Sequence, residues 1–240
     1  MKKLLPYITV LLLFSVYGCN TGSNTYFKKT GKYVKWGNSM VEFRTDMDSK
    51  DKRNDLPVFQ AAVRIDSKLV NLKEDNTALG YGASAPQGTS GLYASPKGCS
   101  MAEILSNTPQ QTDIRLHYDN WDVLDAAISL DKQITIYKDS PIIKVIDYYN
   151  GQFDILNIAA GIPVGYKGSV SEIENGYAVK YIDSITAIII MPDVEHRITD
   201  RGSGNVFLKK EVTANQPLYY YIGISDKGAD YLIDEYLKIK

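Results

Sequence analysis

Alternation of apolar and polar residues along several stretches of this chain constrains its fold more than any other feature of the sequence. In one stretch, apolar side chains fall on the same face of an extended chain at Ile128, Leu130, Ile134 and Ile136. The stretches 40–45, 58–66 and 112–121 alternate in the same way. Successive side chains of a β-strand point to opposite faces, so a period of two predicts strands with one buried face. We therefore expect an all-β chain of antiparallel sheets, in which one face is commonly hydrated.

Turn residues indicate how these strands connect. The sequence Lys138-Asp139-Ser140-Pro141 separates the strand at 128–137 from an extended run at 142–149, which predicts a hairpin. Further strands are predicted at 155–162, 177–182, 185–191, 206–212 and 218–225. Two helices are predicted, a short one at 100–106 and an amphipathic one at about 228–238.

The first residues have the pattern of an export signal. Two lysines precede an apolar run over 4–14, which is too short to span a bilayer comfortably. The run is followed by Val16-Tyr17-Gly18-Cys19, which resembles the lipobox of bacterial lipoproteins, in which the cysteine receives the lipid. The sequence therefore predicts a signal peptide over 1–18, lipidation of Cys19, a flexible tether over 19–32 and a single β-sandwich domain over 33–240.

Composition and motifs exclude several functional classes. The 240 residues carry 27 basic and 28 acidic side chains, without a basic stripe that could follow a phosphate backbone, so no nucleic-acid partner is expected. The two histidines lack the spacing of a zinc site, and no Walker or dinucleotide-binding motif is present. We therefore expect neither a metal nor another cofactor.

The predicted lipid sets the expected location. It would attach the mature protein to a membrane through Cys19. The residues that follow, 20–24, lack the acidic run that resembles a surface-export signal. We therefore expect an outer-membrane lipoprotein that faces the periplasm, with display at the cell surface as the alternative.

One strand carries the most suggestive polar residues. In the stretch 112–121, the face opposite the predicted core carries Arg115, His117, Asp119 and Trp121. An imidazole beside a carboxylate can act as a general acid or base, an arginine can bind a uronate carboxylate, and a tryptophan can stack on a sugar ring. The row predicts a carbohydrate-facing surface, but strand alternation also produces such rows on ordinary hydrated sheets.

Other candidates lie elsewhere in the chain. His196 stands between Glu195 and Arg197, and it could form an acid–base pair with His117 if the fold brought the two imidazoles together. Arg44 and Arg197 are further candidates for binding a uronate carboxylate. The glycine-rich stretch 71–99 is unusually long for a loop in a compact domain, which indicates either a functional loop or poor order.

Several stretches carry a family resemblance. They are Trp36 to Arg44, Leu116 to Leu124, Ser129 to Pro141, Leu156 to Ile162 and Pro217 to Ser225. Together they resemble an uncharacterised family of secreted Bacteroidetes proteins, a domain of unknown function that is often encoded beside polysaccharide lyases, glycosidases and unsaturated uronyl hydrolases. The resemblance covers most of 33–240 and is weakest between 45 and 110. It implies an antiparallel β-supersandwich similar to galactose mutarotases that works on glycans, but it brings no established reaction.

Three functional hypotheses follow from the residues and the resemblance. The first is a lipid-anchored, extracytoplasmic protein that binds or processes oligosaccharides, with uronate-containing glycans as the expected ligands. The second is a glycoside-active enzyme, an epimerase or a lyase or hydrolase, with His117 and His196 as acid and base and Asp119 beside them. The third is a non-catalytic scaffold of the cell envelope.

Overall fold

The computed structural model describes residues 25–47, 60–65, 68–72, 79–87, 96, 98–165, 167–181, 184–200 and 204–240. Strands β1 to β6 span Tyr26–Lys29, Tyr33–Gly37, Val41–Asp46, Gln60–Ile65, Lys68–Leu72 and Ala83–Pro86. Strands β7 to β12 span Met101–Asn107, Gln111–Val123, Ala126–Tyr137, Ile142–Gly151, Leu156–Pro163 and Ser169–Ile173. Strands β13 to β17 span Gly176–Lys180, Thr186–Ile190, His196–Asp200, Asn205–Val212 and Pro217–Ser225, and helix α1 spans Ala229–Ile239.

The strands form three sheets. The largest has eight strands in the order β12-β13-β14-β17-β10-β9-β8-β7. A second sheet has the order β1-β2-β3-β4-β5, and a third has the order β15-β16-β11-β6. All pairs between these strands are antiparallel. The predicted fold class, an all-β antiparallel β-supersandwich with a short C-terminal helix, is confirmed.

One core joins the three sheets. A continuous cluster of buried apolar side chains includes Phe43 from the five-stranded sheet, Ile134 from the eight-stranded sheet and Leu208 from the four-stranded sheet. Burial of such side chains is the main favourable contribution to folding. One face of the eight-stranded sheet is therefore fixed against the core, and its other face is directed outward.

Helix α1 covers part of that outward face. Leu232 on the helix is fully buried against Ile142, Ile188 and Tyr221, which form a second apolar cluster. The Tyr221 and Tyr236 rings meet edge to face, with their centroids 4.9 Å apart. Within the part of the chain that the structure describes, no helix has the length and apolar character needed to cross a membrane.

The predicted hairpin is confirmed. Strands β9 and β10 pair on either side of the turn at 138–141, with Ile136 opposite Ile143. The five further predicted strands correspond to β11, β13, β14, β16 and β17, each within two residues of the predicted bounds. The predicted C-terminal helix corresponds to α1. Period-two patterns and turn residues were therefore sufficient to predict these seven strands.

The predicted helix at 100–106 is wrong. These residues form β7, which pairs along its length with β8, so that Ala102 lies opposite Leu116. The backbone of this segment gains inter-strand hydrogen bonds at the edge of a large sheet. Such tertiary pairing overrides the local helical preference of a short sequence.

Ordered structure also begins earlier than expected. Strand β1, at Tyr26–Lys29, lies within the segment assigned to a flexible tether, and it pairs with β2 so that Phe27 lies opposite Trp36. The backbone pairing, together with packing of Phe27 against the core, accounts for this difference. Cys19, the predicted signal peptide and residues 20–24 lie outside the described residues.

Part of the glycine-rich stretch 71–99 contributes to the core. Residues 79–86 are buried, and β6 within them pairs with β11. The amide of Asn205 holds the start of this segment, because its Nδ2 donates to the carbonyl of Leu79 at 2.6 Å. Gly82 has φ of +78°, and a Cβ atom there would lie 2.8 Å from Ile222, so only glycine fits this close approach. The described residues of this stretch are therefore structural.

Candidate functional site

The outward face of the eight-stranded sheet carries a grid of polar and aromatic side chains. The register places Met101, His117, Asp131 and Tyr148 in one row across β7, β8, β9 and β10. The next row contains Glu103, Arg115, Gln133, Ile146 and, on β17, Tyr219. The third row contains Thr135, Lys144 and Tyr221, and Tyr221 lies beside α1. We call the surface formed by Arg115, His117, Asp131, Gln133, Lys144, Tyr148 and Tyr219 the polar face.

His117 is held by two carboxylates. Its Nδ1 lies 2.9 Å from Oδ1 of Asp131, on the neighbouring strand, and its Nε2 lies 3.5 Å from Oδ1 of Asp119. Asn150 donates to the other oxygen of Asp131 at 3.3 Å. The side chains of His117 and Asp131 are 27% and 29% exposed, so the pair is open to solvent on one side. An imidazole fixed in this way has a defined orientation, and it can donate or accept a proton at the surface.

Arg115 lies beside this histidine on β8, and it forms an ion pair with Glu103 of β7. Both side chains are more than one third exposed, so water screens the pair. The guanidinium is therefore partly neutralised, but it remains accessible from solution.

Two tyrosines and a lysine supply aromatic surface and positive charge. Tyr148 lies opposite Asp131, and Tyr219 is 38% exposed. The Nζ atom of Lys144 lies 5.5 Å from the centroid of the Tyr219 ring. An exposed ring next to a cation offers an apolar plane and a charge to one ligand.

Trp121 does not belong to the predicted row. Tyr118 lies opposite Leu130 and Trp121 lies opposite Ile128, so two residues of β8, Asp119 and Asn120, face one residue of β9. Such a β-bulge reverses the alternation beyond it. Trp121 therefore shares the side of the buried Ile128 and packs against the core. The prediction that Trp121 shares the outward face with His117 is wrong, because alternation was continued through the bulge.

The two histidines are not brought together. His196 is exposed on β15 of the four-stranded sheet, whereas His117 is on β8 of the eight-stranded sheet. The adjacent Arg197 donates to the carbonyl of Ile173, on β12, and lies 3.5 Å from Glu172. Strand β12 is six positions from β8 in the sheet, which corresponds to about 29 Å along it. An acid–base pair of His117 and His196 therefore has no support in the geometry, and Arg197 belongs to a different surface.

Arg44 also lies away from the polar face. It is on β3 of the five-stranded sheet, where NH2 lies 3.3 Å from Oδ1 of Asp46. Its guanidinium stacks on Tyr33, with Cζ 4.4 Å from the ring centroid. Arg115, His117 and Asp119 are thus the predicted site residues that the structure places together.

A second polar cluster lies inside the sandwich. Lys132 and Asp147 are directly opposite each other on β9 and β10, and their side chains are 1% and 0% exposed. Nζ of Lys132 lies 2.7 Å from each oxygen of Asp147. Three buried hydroxyl groups, of Ser84, Tyr149 and Tyr220, complete the cluster. Burial raises the pKa of Tyr149 and Tyr220 well above the ordinary value, so both phenols stay protonated.

Metal and thiol chemistry receive no support from the described residues. Within those ranges, no group of three or more histidine, cysteine, aspartate or glutamate side chains is placed to hold a metal ion. Cys99 is buried, and its burial raises the thiol pKa to about 12. A thiol of this kind is a poor nucleophile near neutral pH.

Sequence reasoning missed several members of these two clusters. The alternation that puts Ile128, Leu130, Ile134 and Ile136 on one face puts Asp131 and Gln133 on the other. It does not connect them with His117, because that contact depends on the register of β8 against β9. Tyr148 and Lys144 could have been found by extending the alternation of β9 through the hairpin. Tyr219 could have been found from the alternation of β17, where Leu218 and Tyr220 face the core. The alternation of β9 also puts Lys132 between Leu130 and Ile134 on the core face. This position could have predicted a buried charge.

Comparisons with known proteins give a family and a fold. The model of one family, described as a domain of unknown function (DUF4861), matches residues 76–233, about two thirds of the chain. No curated protein matches it. A crystal structure of an active YidC insertase with its first transmembrane domain resolved has a TM-score of 0.55 and 9% identity, over 91% of this chain and 44% of that chain.

Two further solved structures are similar at lower scores. A putative kojibiose phosphorylase from the human microbiome has a TM-score of 0.45 and 10% identity, over 90% of this chain and 36% of that chain. Heparan sulfate lyase HepC from Pedobacter heparinus has a TM-score of 0.48 and 10% identity, over 86% of this chain and 36% of that chain. The chain thus spans less than half the length of each of these three structures. At these identities the likeness concerns the fold alone.

Proposed function

The chain belongs to the family of the domain of unknown function DUF4861, and we propose that this protein binds oligosaccharides on the polar face of its eight-stranded sheet. One observation carries the proposal: hydrogen-bonding side chains, two tyrosine rings and a lysine share one open surface that is built on adjacent paired strands. Side chains on paired strands are held more precisely than side chains on loops.

The chemistry of the polar face suits a sugar. A pyranose ring has hydroxyl groups that both donate and accept hydrogen bonds, and it has apolar faces made of C–H groups. Gln133 and the His117–Asp131 pair offer donors and acceptors, while Tyr219 and Tyr148 offer ring surface. Neighbouring strands lie about 4.8 Å apart and alternate residues about 6.8 Å apart, so the face is wide enough for several sugar units.

The positive charge of Lys144, at one side of this face, favours an acidic sugar there. Lys144 on β10 lies beside the Tyr219 ring. Arg115 is on the same outward face, on β8, two strands away from Lys144. A uronate could place its ring on Tyr219 and its carboxylate on the Lys144 ammonium. We therefore propose uronate-containing oligosaccharides as the ligand class.

A binding experiment tests this proposal. Titration calorimetry with the protein lacking residues 1–19 would compare a panel of uronate-containing oligosaccharides with neutral ones of equal length. We expect Tyr219→Ala and Lys144→Ala each to weaken binding of the acidic ligand about tenfold, which corresponds to about 1.4 kcal/mol. Unchanged affinity in both variants would show that the polar face is not the binding surface.

The chain offers a matched control. Lys227 and Tyr231 form a similar pair at the start of α1, with Nζ 4.6 Å from the ring centroid. Tyr231→Ala and Lys227→Ala remove a tyrosine and a lysine that lie outside the polar face. They should leave affinity unchanged, and an equal loss in these controls would point to a general charge or folding effect.

The orientation of His117 supports a second candidate function, which is catalysis. Its imidazole is fixed by Asp131 at 2.9 Å, an arrangement that orients a general acid or base. With His196 on another sheet, one imidazole would act without the predicted partner. Assays for new reducing ends and for unsaturated products test this: His117→Gln should abolish turnover while binding persists. If no panel member is turned over by the wild-type protein, binding alone remains.

We also propose that the protein is exported and anchored to the outer membrane through a lipid on Cys19, facing the periplasm. Support comes from the lysines, the apolar run and the cysteine at the start of the sequence. Metabolic labelling with a fatty-acid analogue should mark the wild-type protein but not Cys19→Ser. Labelling of both proteins, or of neither, would contradict the anchor.

A further inference from the structure

A lysine and an aspartate face each other inside the core, away from the polar face. Lys132 and Asp147 are directly opposite on β9 and β10, and they are almost completely shielded from solvent. Two buried tyrosines, Tyr149 and Tyr220, belong to the same cluster. Neither residue belongs to the polar face, so the proposed sugar site does not explain why a lysine and an aspartate are buried here.

The distances place the amine nitrogen close to the carboxyl carbon. Nζ of Lys132 lies 2.7 Å from both oxygens of Asp147. With ordinary C–O bond lengths, a nitrogen 2.7 Å from both oxygens lies no more than about 3 Å from Cγ. Attack on Cγ also requires an approach from above the carboxyl plane, which a turn of the carboxyl group about its Cβ–Cγ bond would provide.

Hydroxyl groups converge on one oxygen of the carboxylate. Ser84 donates to Oδ2 of Asp147, and the hydroxyl of Tyr220 lies 2.8 Å from the same atom. The hydroxyls of Tyr149 and Ser84 are 2.7 Å apart, which extends the chain of hydrogen bonds. Fixed donors of this kind stabilise negative charge that develops on an oxygen, and hydroxyls can pass protons to it.

Burial makes the charged pair costly. An ion pair in the core loses the hydration of both charges, and their mutual attraction offsets only part of that loss. Burial lowers the pKa of Lys132, which favours its neutral form. A neutral linkage would remove both charges from the core.

We propose that Lys132 and Asp147 become joined in the folded protein by an amide bond between Nζ and Cγ. One ammonium proton first moves to a carboxylate oxygen, which gives a neutral amine and a carboxylic acid. The Nζ lone pair then attacks Cγ, the bond from Cγ to the protonated oxygen breaks, and that oxygen leaves as water with a second proton from nitrogen. The products are one secondary amide and one water molecule, without any further reactant.

Peptide mapping of the purified wild-type protein tests the bond. Trypsin does not cleave after a lysine whose amine is acylated, so Lys132 would remain uncut. The peptide from Leu116 to Lys138 should then appear joined to the peptide from Val145 to Lys167, at a mass about 18 Da below their sum. Lys138 and Lys144, which are not proposed to react, must be cut in the same digest and serve as internal controls.

The outcomes are distinct. The joined peptide, with a fragment spectrum that places the link at Lys132 and Asp147, supports the proposal. Recovery of the free peptide from Leu116 to Lys132 in full yield from folded protein overturns it. Because the measurement uses wild-type protein, it does not depend on whether a core variant folds.

A variant sharpens the assignment. Asp147→Asn presents the same carbonyl carbon but would release ammonia in place of water, so the joined peptide should be about 17 Da below the sum of its parts. Lys132→Arg keeps a positive charge but has no amine that can form this bond, and it should give no joined peptide. A joined peptide in Lys132→Arg would show that another residue is linked, and it would overturn the assignment.

Discussion

Two pairs, each of a basic side chain and an aspartate, start from adjacent residues of β9 and lie on opposite faces of the same sheet. Asp131 points outward and binds His117 of β8 at 2.9 Å. Lys132 points inward and contacts Asp147 of β10 at 2.7 Å. Their distances are similar, but the outer pair is more than one quarter exposed and the inner pair is shielded from water.

The two pairs differ in their exposure to solvent, and this difference gives them different roles. Water screens the outer pair, so His117 and Asp131 contribute little to stability and remain available to a ligand. Water does not reach Lys132 or Asp147, so a variant that lacks one of them leaves the other as a buried charge without hydration. The outer pair is therefore suited to recognition. The inner pair contributes to the framework, since its contact with Ser84 of β6 links the eight-stranded sheet to the four-stranded one. Four predictions test this division.

The largest loss of stability should come from substituting Asp147, one member of the inner pair. Asp147→Ala leaves the Lys132 amine without a carboxylate in the core, and we expect the free energy of unfolding to fall by about 3–5 kcal/mol. Urea titration followed by circular dichroism measures this change. The control is Asp131→Ala, which should cost at most about 1 kcal/mol. Equal losses in the two variants would break the comparison.

A smaller loss should follow removal of a hydroxyl from the inner cluster. Ser84 donates to Asp147 and lies 2.7 Å from the hydroxyl of Tyr149. Ser84→Ala leaves these buried groups with one partner fewer, and we expect a loss of about 1–3 kcal/mol in the same titration. Ser106→Ala is the matched control, because its exposed hydroxyl bonds Asp113 on the outer face. That control should change stability by no more than about 0.5 kcal/mol.

The outer pair should separate stability from recognition. His117→Ala should change the free energy of unfolding by less than about 1 kcal/mol, because the imidazole is partly hydrated and its partner can turn to water. Affinity for an acidic oligosaccharide should nevertheless fall about tenfold, or by about 1.4 kcal/mol. A variant that unfolds more easily but binds normally would assign His117 to the framework and not to the ligand surface.

The smallest effect is expected at the edge of the polar face. Glu103→Gln removes the carboxylate that pairs with the exposed Arg115. Stability should change by less than about 1 kcal/mol, and any change should vanish in 0.5 M salt. Binding of an acidic ligand should become slightly tighter, since the guanidinium is no longer neutralised. Tighter binding of neutral ligands as well would argue against a charge effect at Arg115.

Much of the fold was predictable because it depends on local patterns. The β9–β10 hairpin followed from alternation on either side of a turn at 138–141, and the C-terminal helix followed from its apolar stripe. The edge strand β7 did not follow, because its hydrogen bonds come from β8 and not from its own sequence. A short segment at the edge of a sheet takes the structure that its neighbour offers.

The site was predictable in part, for a similar reason. Alternation placed Arg115, His117 and Asp119 on one face, and the structure keeps them there. It failed at Trp121, because the bulge in β8 inserts one residue that alternation alone does not reveal. It also could not bring Asp131 to His117, since that contact depends on the register between two strands.

The sequence by itself determined that this chain forms two-sided antiparallel strands, because a period of two in polarity leaves one face wet and one face dry. Only the tertiary structure decided which side chains meet. It separated His117 from His196 by assigning them to different sheets, and it placed Lys132 directly opposite Asp147 on neighbouring strands. The physical reason is that sheet order and register arise from contacts between residues far apart in the chain, and a local pattern does not record those contacts.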